Sequence, residues 1–367
     1  MSTANPQAPL SAVILAAGEG SRMRSERPKP LHRLCGRPML TYVLDALDEV
    51  EAERAVIVVG HKGDWVTKKM QEQAHDLAIE FVEQAVQRGT GDATLVGLVG
   101  IPDDSDEDDV LVLPGDAPLL RPETIAALVE RHRASGAAAT VLAARMDDPT
   151  GYGRVVRGRD DRVERIVEHR DATPEELAID EVNTSIYVFR RSLLAPALRR
   201  VEPDNAQGEY YLTDVVGVLA SAGHRVEAVV VDDAAETQGI NDRLQLASAE
   251  AELRRRTNDT LLRSGVTIVD PSAVYVDTTV VVGPDVTLFP GVILQGATVI
   301  GQGSEIGPHT RLVDTLVGAD CVVEATTARN ATVGDRSVVG PYASLGPGAE
   351  VPADSLTGPF YTADSAL

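Results

Sequence analysis

The sequence has 367 residues, 43% of them hydrophobic and 25% charged, with 34 basic against 56 acidic side chains and a formal net charge of −22. That length suits two domains better than one, and the apolar share suffices for a packed core. So acidic a chain excludes nucleic acid as a partner, because a phosphate backbone needs a basic footprint; local cations, backbone N–H groups and a metal ion can still hold a small phosphate compound.

The segment Met1 to Ala12 has no basic region, and the apolar stretch Ala12 to Ala17 is too short for a leader or a membrane span, so a cytoplasmic protein with no membrane partner is expected. Cys35 and Cys321 are far apart and lack metal-ligand spacing, which leaves them as small buried side chains.

The first ~235 residues alternate β-branched runs with helical patterns, predicting an α/β domain around a mostly parallel sheet. Ala12 to Leu15 predicts the first buried strand, Pro38 to Leu47 an amphipathic helix and Ala55 to Val59 the second strand. Further strands are expected at Glu80 to Val82, Val110 to Leu113, Ala139 to Ala143 and Ile186 to Phe189, with helices at Pro122 to Ala134 and Leu212 to Ala222. The acidic run Asp103 to Asp109 lacks the glycine and terminal glutamate of a calcium loop and is read as solvated. Asn241 to Arg263 predicts a linking helix with apolar anchors at Leu244, Leu246, Leu253, Leu261 and Leu262.

Beyond Gly265 the period becomes six. Val276, Val282, Leu288, Leu294, Ile300, Ile306 and Leu312 follow without a slip, and after an irregularity the series resumes at Val333, Val339, Leu345 and Val351. A six-residue apolar repeat predicts a parallel β-helix, in which stacked coils bury what one coil cannot. The expected organisation is therefore a domain over 1–238, a linking helix over 239–264, a hexapeptide-repeat β-helix over 265–352 and a tail over 353–367.

Three features carry chemistry. Leu15-Ala16-Ala17-Gly18-Glu19-Gly20-Ser21-Arg22-Met23 directly follows the first strand; its small residues let backbone N–H groups approach a polyphosphate, and Arg22 and Lys29 supply charge. Met23 stands where a dinucleotide fingerprint needs its third glycine, and the spacing is not that of a Walker loop. Asp116 lies just past the carboxyl end of a predicted strand, where it either turns the chain or ligates Mg²⁺. Asn241 opens the linking helix, where asparagine is a good N-cap, and on the residues alone the cap is favoured. The histidines His32, His61, His132 and His169 have no zinc spacing, and no Gly-x-Ser-x-Gly elbow marks a nucleophile. Such a set suits phosphoryl-type transfer, which depends on positioning and charge neutralisation.

Several ordered segments resemble the bacterial bifunctional N-acetylglucosamine-1-phosphate uridylyltransferase/glucosamine-1-phosphate acetyltransferase family, from about Ser11 to about Glu350. They are Glu83-Gln84-Ala85 with Gly89-Thr90-Gly91, Asp148 to Arg154, Ile166-Val167-Glu168-His169, Glu181-Val182-Asn183-Thr184, Asn205 to Asp214 and Gly239 to Leu246. The resemblance implies a Rossmann-like nucleotidyltransferase domain followed by a short left-handed β-helix, and a reaction making UDP-N-acetylglucosamine, a peptidoglycan precursor, from UTP and N-acetylglucosamine-1-phosphate with Mg²⁺ as cofactor. It implies nucleotide contacts at Leu15, Ala16, Ala17, Gly18, Gln84, Gly89 and Thr90, with Gln84 reading uracil. It places Arg22 and Lys29 on the phosphates, Asp116 and Asn241 on the metal, and Gly153, Glu168, Asn183 and Asn241 on the sugar side. Trimerisation through the β-helix is implied as well.

One stretch departs from that family. Gly346 stands where it carries an arginine before Pro-Gly, and Leu367 is reached before the family's acetyl-transfer lysine, histidine, tyrosine and asparagine, so the second activity is expected to be absent. Two other readings compete with the uridylyltransferase: a nucleotidylyltransferase for another sugar or base, such as a glucose-1-phosphate thymidylyltransferase-like enzyme, and a non-catalytic regulatory subunit of the same fold.

Overall fold

The computed structural model describes residues 9–60, 62–72, 77–102, 108–158 and 161–364; His61 and most of the acidic run 103–109 lie outside them. The chain forms two compact units, one of residues up to His32 with Pro38–Gln245, the other of Arg33–Arg37 with Leu246–Leu367. Among the described residues no helix is long and apolar enough to cross a membrane.

The first unit is built on a nine-stranded sheet. Its strands in chain order are β1 (Leu10–Ala16), β2 (Arg54–Val59), β3 (Ala78–Glu83), β4 (Asp109–Pro114), β5 (Ala139–Arg145), β6 (Arg154–Arg157), β7 (Val163–Val167), β8 (Glu181–Arg190) and β9 (Val226–Val230). The main path runs β9-β5-β8-β4-β1-β2-β3, with β6 and β7 as an antiparallel hairpin attached to β8. The β-branched runs form the parallel strands β1 to β4, and β8 alone on the main path runs antiparallel to its neighbours. Alternation along each strand supplies the two faces: Val13, Val56, Val58, Val110 and Val112 pack into one apolar layer, while Ala12, Ile14, Ile57, Leu111 and Leu113 pack into the other. The reversal of strand order at β1, between β2 and β4, opens a crevice at the carboxyl ends of these strands, where ligands settle in open α/β sheets.

The second unit contains three parallel sheets of five, six and five short strands, the arrangement of a left-handed β-helix. Most of the short strands bury an aliphatic residue and, two positions earlier, a second and often smaller one: Thr298 before Ile300, Ser304 before Ile306, Thr310 before Leu312, Ser337 before Val339. The inward hydroxyls are bonded to backbone, as Ser304 Oγ to Gly318 O at 2.9 Å and Ser337 Oγ to Pro352 O at 2.9 Å, so their burial leaves no unmet polar group. The irregularity after Leu312 is not a break. The buried series continues through Val317, Val323, Ala328 and Val333, and strand pairing shifts with it: Ile300 pairs with Val317, and Leu312 with Ala328. Steps of five between Leu312 and Val317, Val323 and Ala328, and Ala328 and Val333 replace steps of six. Cys35 and Cys321 are both buried, and neither is in a disulfide.

Candidate active site

At the carboxyl edge of the first unit's sheet, one cavity of about 660 Å³ is lined by every residue assigned a role above: Leu15, Ala16, Ala17, Gly18, Arg22, Lys29, Gln84, Gly89, Thr90, Asp116, Gly153, Glu168, Asn183 and Asn241. The turn after β1 carries Ala17, Gly18 and Arg22, the residues expected to face phosphate. Gly20 sits at φ +61°, and a Cβ there would lie 2.8 Å from Lys29 Cβ, so the turn needs glycine both for its backbone and for the passage of the lysine stem. Arg243 Nε donates to Met23 O at 3.2 Å and so fastens this turn to the segment carrying Asn241.

Asp116 projects from the end of β4. Lys29 Nζ makes an ion pair with Asp116 Oδ2 and donates to Asn241 Oδ1 at 2.8 Å. An ammonium thus occupies the point where a carboxylate and an amide oxygen converge. This stand-in cation shows that the donor set suits a positive charge. Among the described residues no group of three or more His, Cys, Asp or Glu side chains gathers to hold a metal. One carboxylate and one amide oxygen, open to substrate phosphates and water, nevertheless fit the sparse protein contribution typical of Mg²⁺. The cap role favoured for Asn241 on local grounds falls elsewhere: Asp242 Oδ1 accepts from Leu244 N and Gln245 N, both at 2.9 Å, at the start of the helix Arg243–Arg263. Asn241 is left facing the cavity, its own N–H donating to Gln245 Oε1 at 2.7 Å.

Where the base is expected, Gln84 is buried, and its Nε2 donates to Asp92 Oδ2 at 2.8 Å and to Gly89 O at 3.3 Å. Both neighbours are acceptors, so the amide can point only its NH₂ end at them, which leaves Oε1 as the group it offers a ligand. Asp92 was not singled out in the sequence, although it sits in the first turn of the helix Thr90–Gly97 directly after Gly89-Thr90. Gly89 adopts φ +110°, and a Cβ there would stand 2.5 Å from Tyr210 O. Thr90 Oγ1 accepts from Leu212 N at 3.0 Å, tying this wall to the 205–214 loop.

Another part of the lining comes from the ends of β6 and β7 and from β8. Asn183 N donates to Gly153 O at 2.9 Å, its Nδ2 donates to Tyr187 Oη at 2.7 Å, and its Oδ1 accepts from Ser185 N at 3.1 Å. The chain bulges here: pairing with β5 slips between Asn183 and Ile186, and Ser185 takes φ +63°. Relieving a serine of this left-handed backbone by Ser185→Gly is expected to raise unfolding stability by about 0.5–1 kcal/mol in urea titration. Glu168 lies beside Gly153, accepts from Thr213 Oγ1 at 3.2 Å, and has its carboxyl held above the usual range by burial and by the nearby Asp214 and Asp171. Tyr152, Gln87 and Gln245 also line the cavity and had been given no role.

A family profile described as the MobA-like NTP transferase domain matches residues 12–214. "Bifunctional protein GlmU" of Thermobifida fusca is 46% identical over 312 residues, 84% of this chain and 64% of that relative. The proteins of that name from Streptomyces coelicolor and Shouchella clausii are 48% identical over 312 residues and 44% over 307, covering 85% and 84% of this chain and 64% and 66% of theirs. The chain therefore spans a little under two thirds of the length of these relatives.

Proposed function

The chain belongs to the MobA-like NTP transferase domain family, as a relative of the GlmU proteins, and on that premise we propose that it is a uridylyltransferase making UDP-N-acetylglucosamine and pyrophosphate from UTP and N-acetylglucosamine-1-phosphate. The observation that carries this reading is the convergence of Asp116, Asn241 and Lys29 in one cavity between a base-reading amide, Gln84, and a hydroxyl-accepting carboxylate, Glu168. The sugar phosphate is already anionic near neutral pH, so no general base is required. Arg22 and Lys29 hold the triphosphate, backbone groups of the 15–18 turn line it, and Glu168, Asn183 and Gly153 orient the sugar so that its phosphate oxygen faces the α-phosphorus in line. Mg²⁺ on Asp116 and Asn241 would neutralise charge on the transferring and leaving oxygens. Pyrophosphate release that requires UTP, N-acetylglucosamine-1-phosphate and Mg²⁺ together tests the proposal; turnover with dTTP and glucose-1-phosphate instead would favour the sister-enzyme reading, and no turnover with any pair the regulatory subunit.

The raised carboxyl of Glu168 sets a pH dependence. Its protonated form gives up acceptor capacity, and protonation sets in at a higher pH than for an ordinary glutamate. On acidification the KM for the sugar phosphate is expected to rise before that for UTP. Glu168→Gln should remove that part of the profile while keeping the contribution of the substrate's own phosphate, which steady-state kinetics across pH would show.

The second unit is proposed to serve trimerisation and to carry no acetyl-transfer centre. Gly346 offers no side chain, and Asp364 Oδ1 stands in the space a Cβ there would take. Acetyl-CoA-dependent thiol release with glucosamine-1-phosphate would refute the second point, and a monomer in solution the first.

A further inference from the structure

A second cavity of about 280 Å³ opens next to the first. The two share only Ala16, Gly18, Glu19, Lys29 and Pro30, the turn after β1 and the lysine beyond it. The rest of the lining joins two cations, Arg27 and Lys62, to one carboxylate, Glu26, two hydroxyls, Ser21 and Ser25, and Pro28, Gly60 and Val66. With Lys29 and Glu19 from the shared wall, the lining carries three cations against two carboxylates, in a chain of formal charge −22. Lys62 Nζ lies 2.8 Å from Glu26 Oε2 and 2.9 Å from Glu26 O, and the Glu26 side chain is 97% exposed. A solvated carboxylate therefore rests on a cation that lines a cavity large enough for many atoms, and a more highly charged anion would displace it.

The position of this cavity fits one ligand. In an in-line displacement the leaving group departs opposite the nucleophile. Glu168 and Asn183, which face the sugar phosphate, line only the first cavity; the wall common to both is the phosphate turn. As the sugar-phosphate oxygen bonds to the α-phosphorus, the bond from that phosphorus to the bridging oxygen breaks. Its electron pair leaves with the β- and γ-phosphates, on the side of the second cavity. We propose that this cavity is a product site for inorganic pyrophosphate, held by Lys62 and Arg27 after it passes Lys29. The assignment rests on the uridylyl-transfer reading for the direction of departure, but the site itself is tested without turnover.

Calorimetric titration of the full chain with magnesium pyrophosphate supplies the test. Lys62→Ala is expected to weaken pyrophosphate binding about tenfold, the loss of one charge-assisted hydrogen bond. Glu26→Gln, which removes the competing carboxylate, should tighten it several-fold. Lys69→Ala removes a lysine paired with Glu72 and outside the cavity lining, and should leave binding unchanged. A non-hydrolysable UTP analogue should bind wild type and Lys62→Ala alike. Equal pyrophosphate affinity in wild type and Lys62→Ala, a Glu26→Gln variant that binds no tighter, or equal losses for pyrophosphate and the analogue would each overturn the proposal. Lys62-dependent pyrophosphate binding by a protein without uridylyltransferase activity would keep the site and refute the function.

Discussion

Asp116→Ala is expected to lower the rate of UTP-dependent pyrophosphate release by about 10³-fold at saturating substrates, the scale on which a missing metal ligand removes several kcal/mol of charge stabilisation. The reason is arithmetic of charge. Of the two groups that converge with Lys29, Asn241 contributes a neutral amide oxygen and Asp116 the only formal charge. On the proposed reading, deleting it would leave Arg22 and Lys29 to face the triphosphate without the carboxylate that would hold a divalent ion. Stability should move little: the Lys29 and Asp116 side chains keep 13% and 19% of their exposure, so the released ammonium can turn to water. Thermal melts of the variant within a few degrees of wild type, together with loss of Mg²⁺-dependent turnover and weaker Mg²⁺ affinity, would fit. Turnover retained within tenfold would show that Asp116 is only the turn residue its Gly-Asp context also allows.

That alternative could not be decided from the residues alone, and the reason is general to this site. Local signals place elements well: the runs at Ala12, Ala55 and Val110 all became central parallel strands, because β-branched residues buried on both faces admit few other fates. Long-range partners are invisible to them. Asn241 looked like a cap because asparagine before a helix commonly is one; only in three dimensions does the next residue, Asp242, take the cap and release it. The hairpin of β6 and β7 escaped for a different reason. Its strands are four and five residues long, with charged residues on both faces, and so display no alternating period. In the second unit the repeat was plain, but alanine at position 328 and steps of five hid its continuity. Ser185, at a positive φ, carries no signature that a glycine would have given.

If Gln84 reads the base, as proposed, its neighbour Asp92 decides which end of the amide it offers. Gln84 can both donate and accept, so from its type alone it matches uracil and cytosine equally well. Asp92 holds its NH₂ end, which on the proposed reading would leave Oε1 to accept from the N3–H of uracil or thymine; cytosine has no N3–H and could offer that acceptor only its N4 amino group. Asp92→Ala frees that end while leaving Gly89 O as a weaker acceptor at 3.3 Å. We expect kcat/KM for UTP to fall about 10- to 100-fold, the worth of a charge-assisted hydrogen bond to a buried amide, while the ratio of UTP to CTP turnover contracts because the amide can now rotate. Gln84→Glu should be more severe, placing two carboxylates side by side in a buried wall. Steady-state kinetics with both nucleotides separate the possibilities. A uniform loss for UTP and CTP would mean that Asp92 merely supports the 84–90 loop, whereas a narrowed ratio with unchanged KM for the sugar phosphate would establish it as the residue that orients the reader of the base.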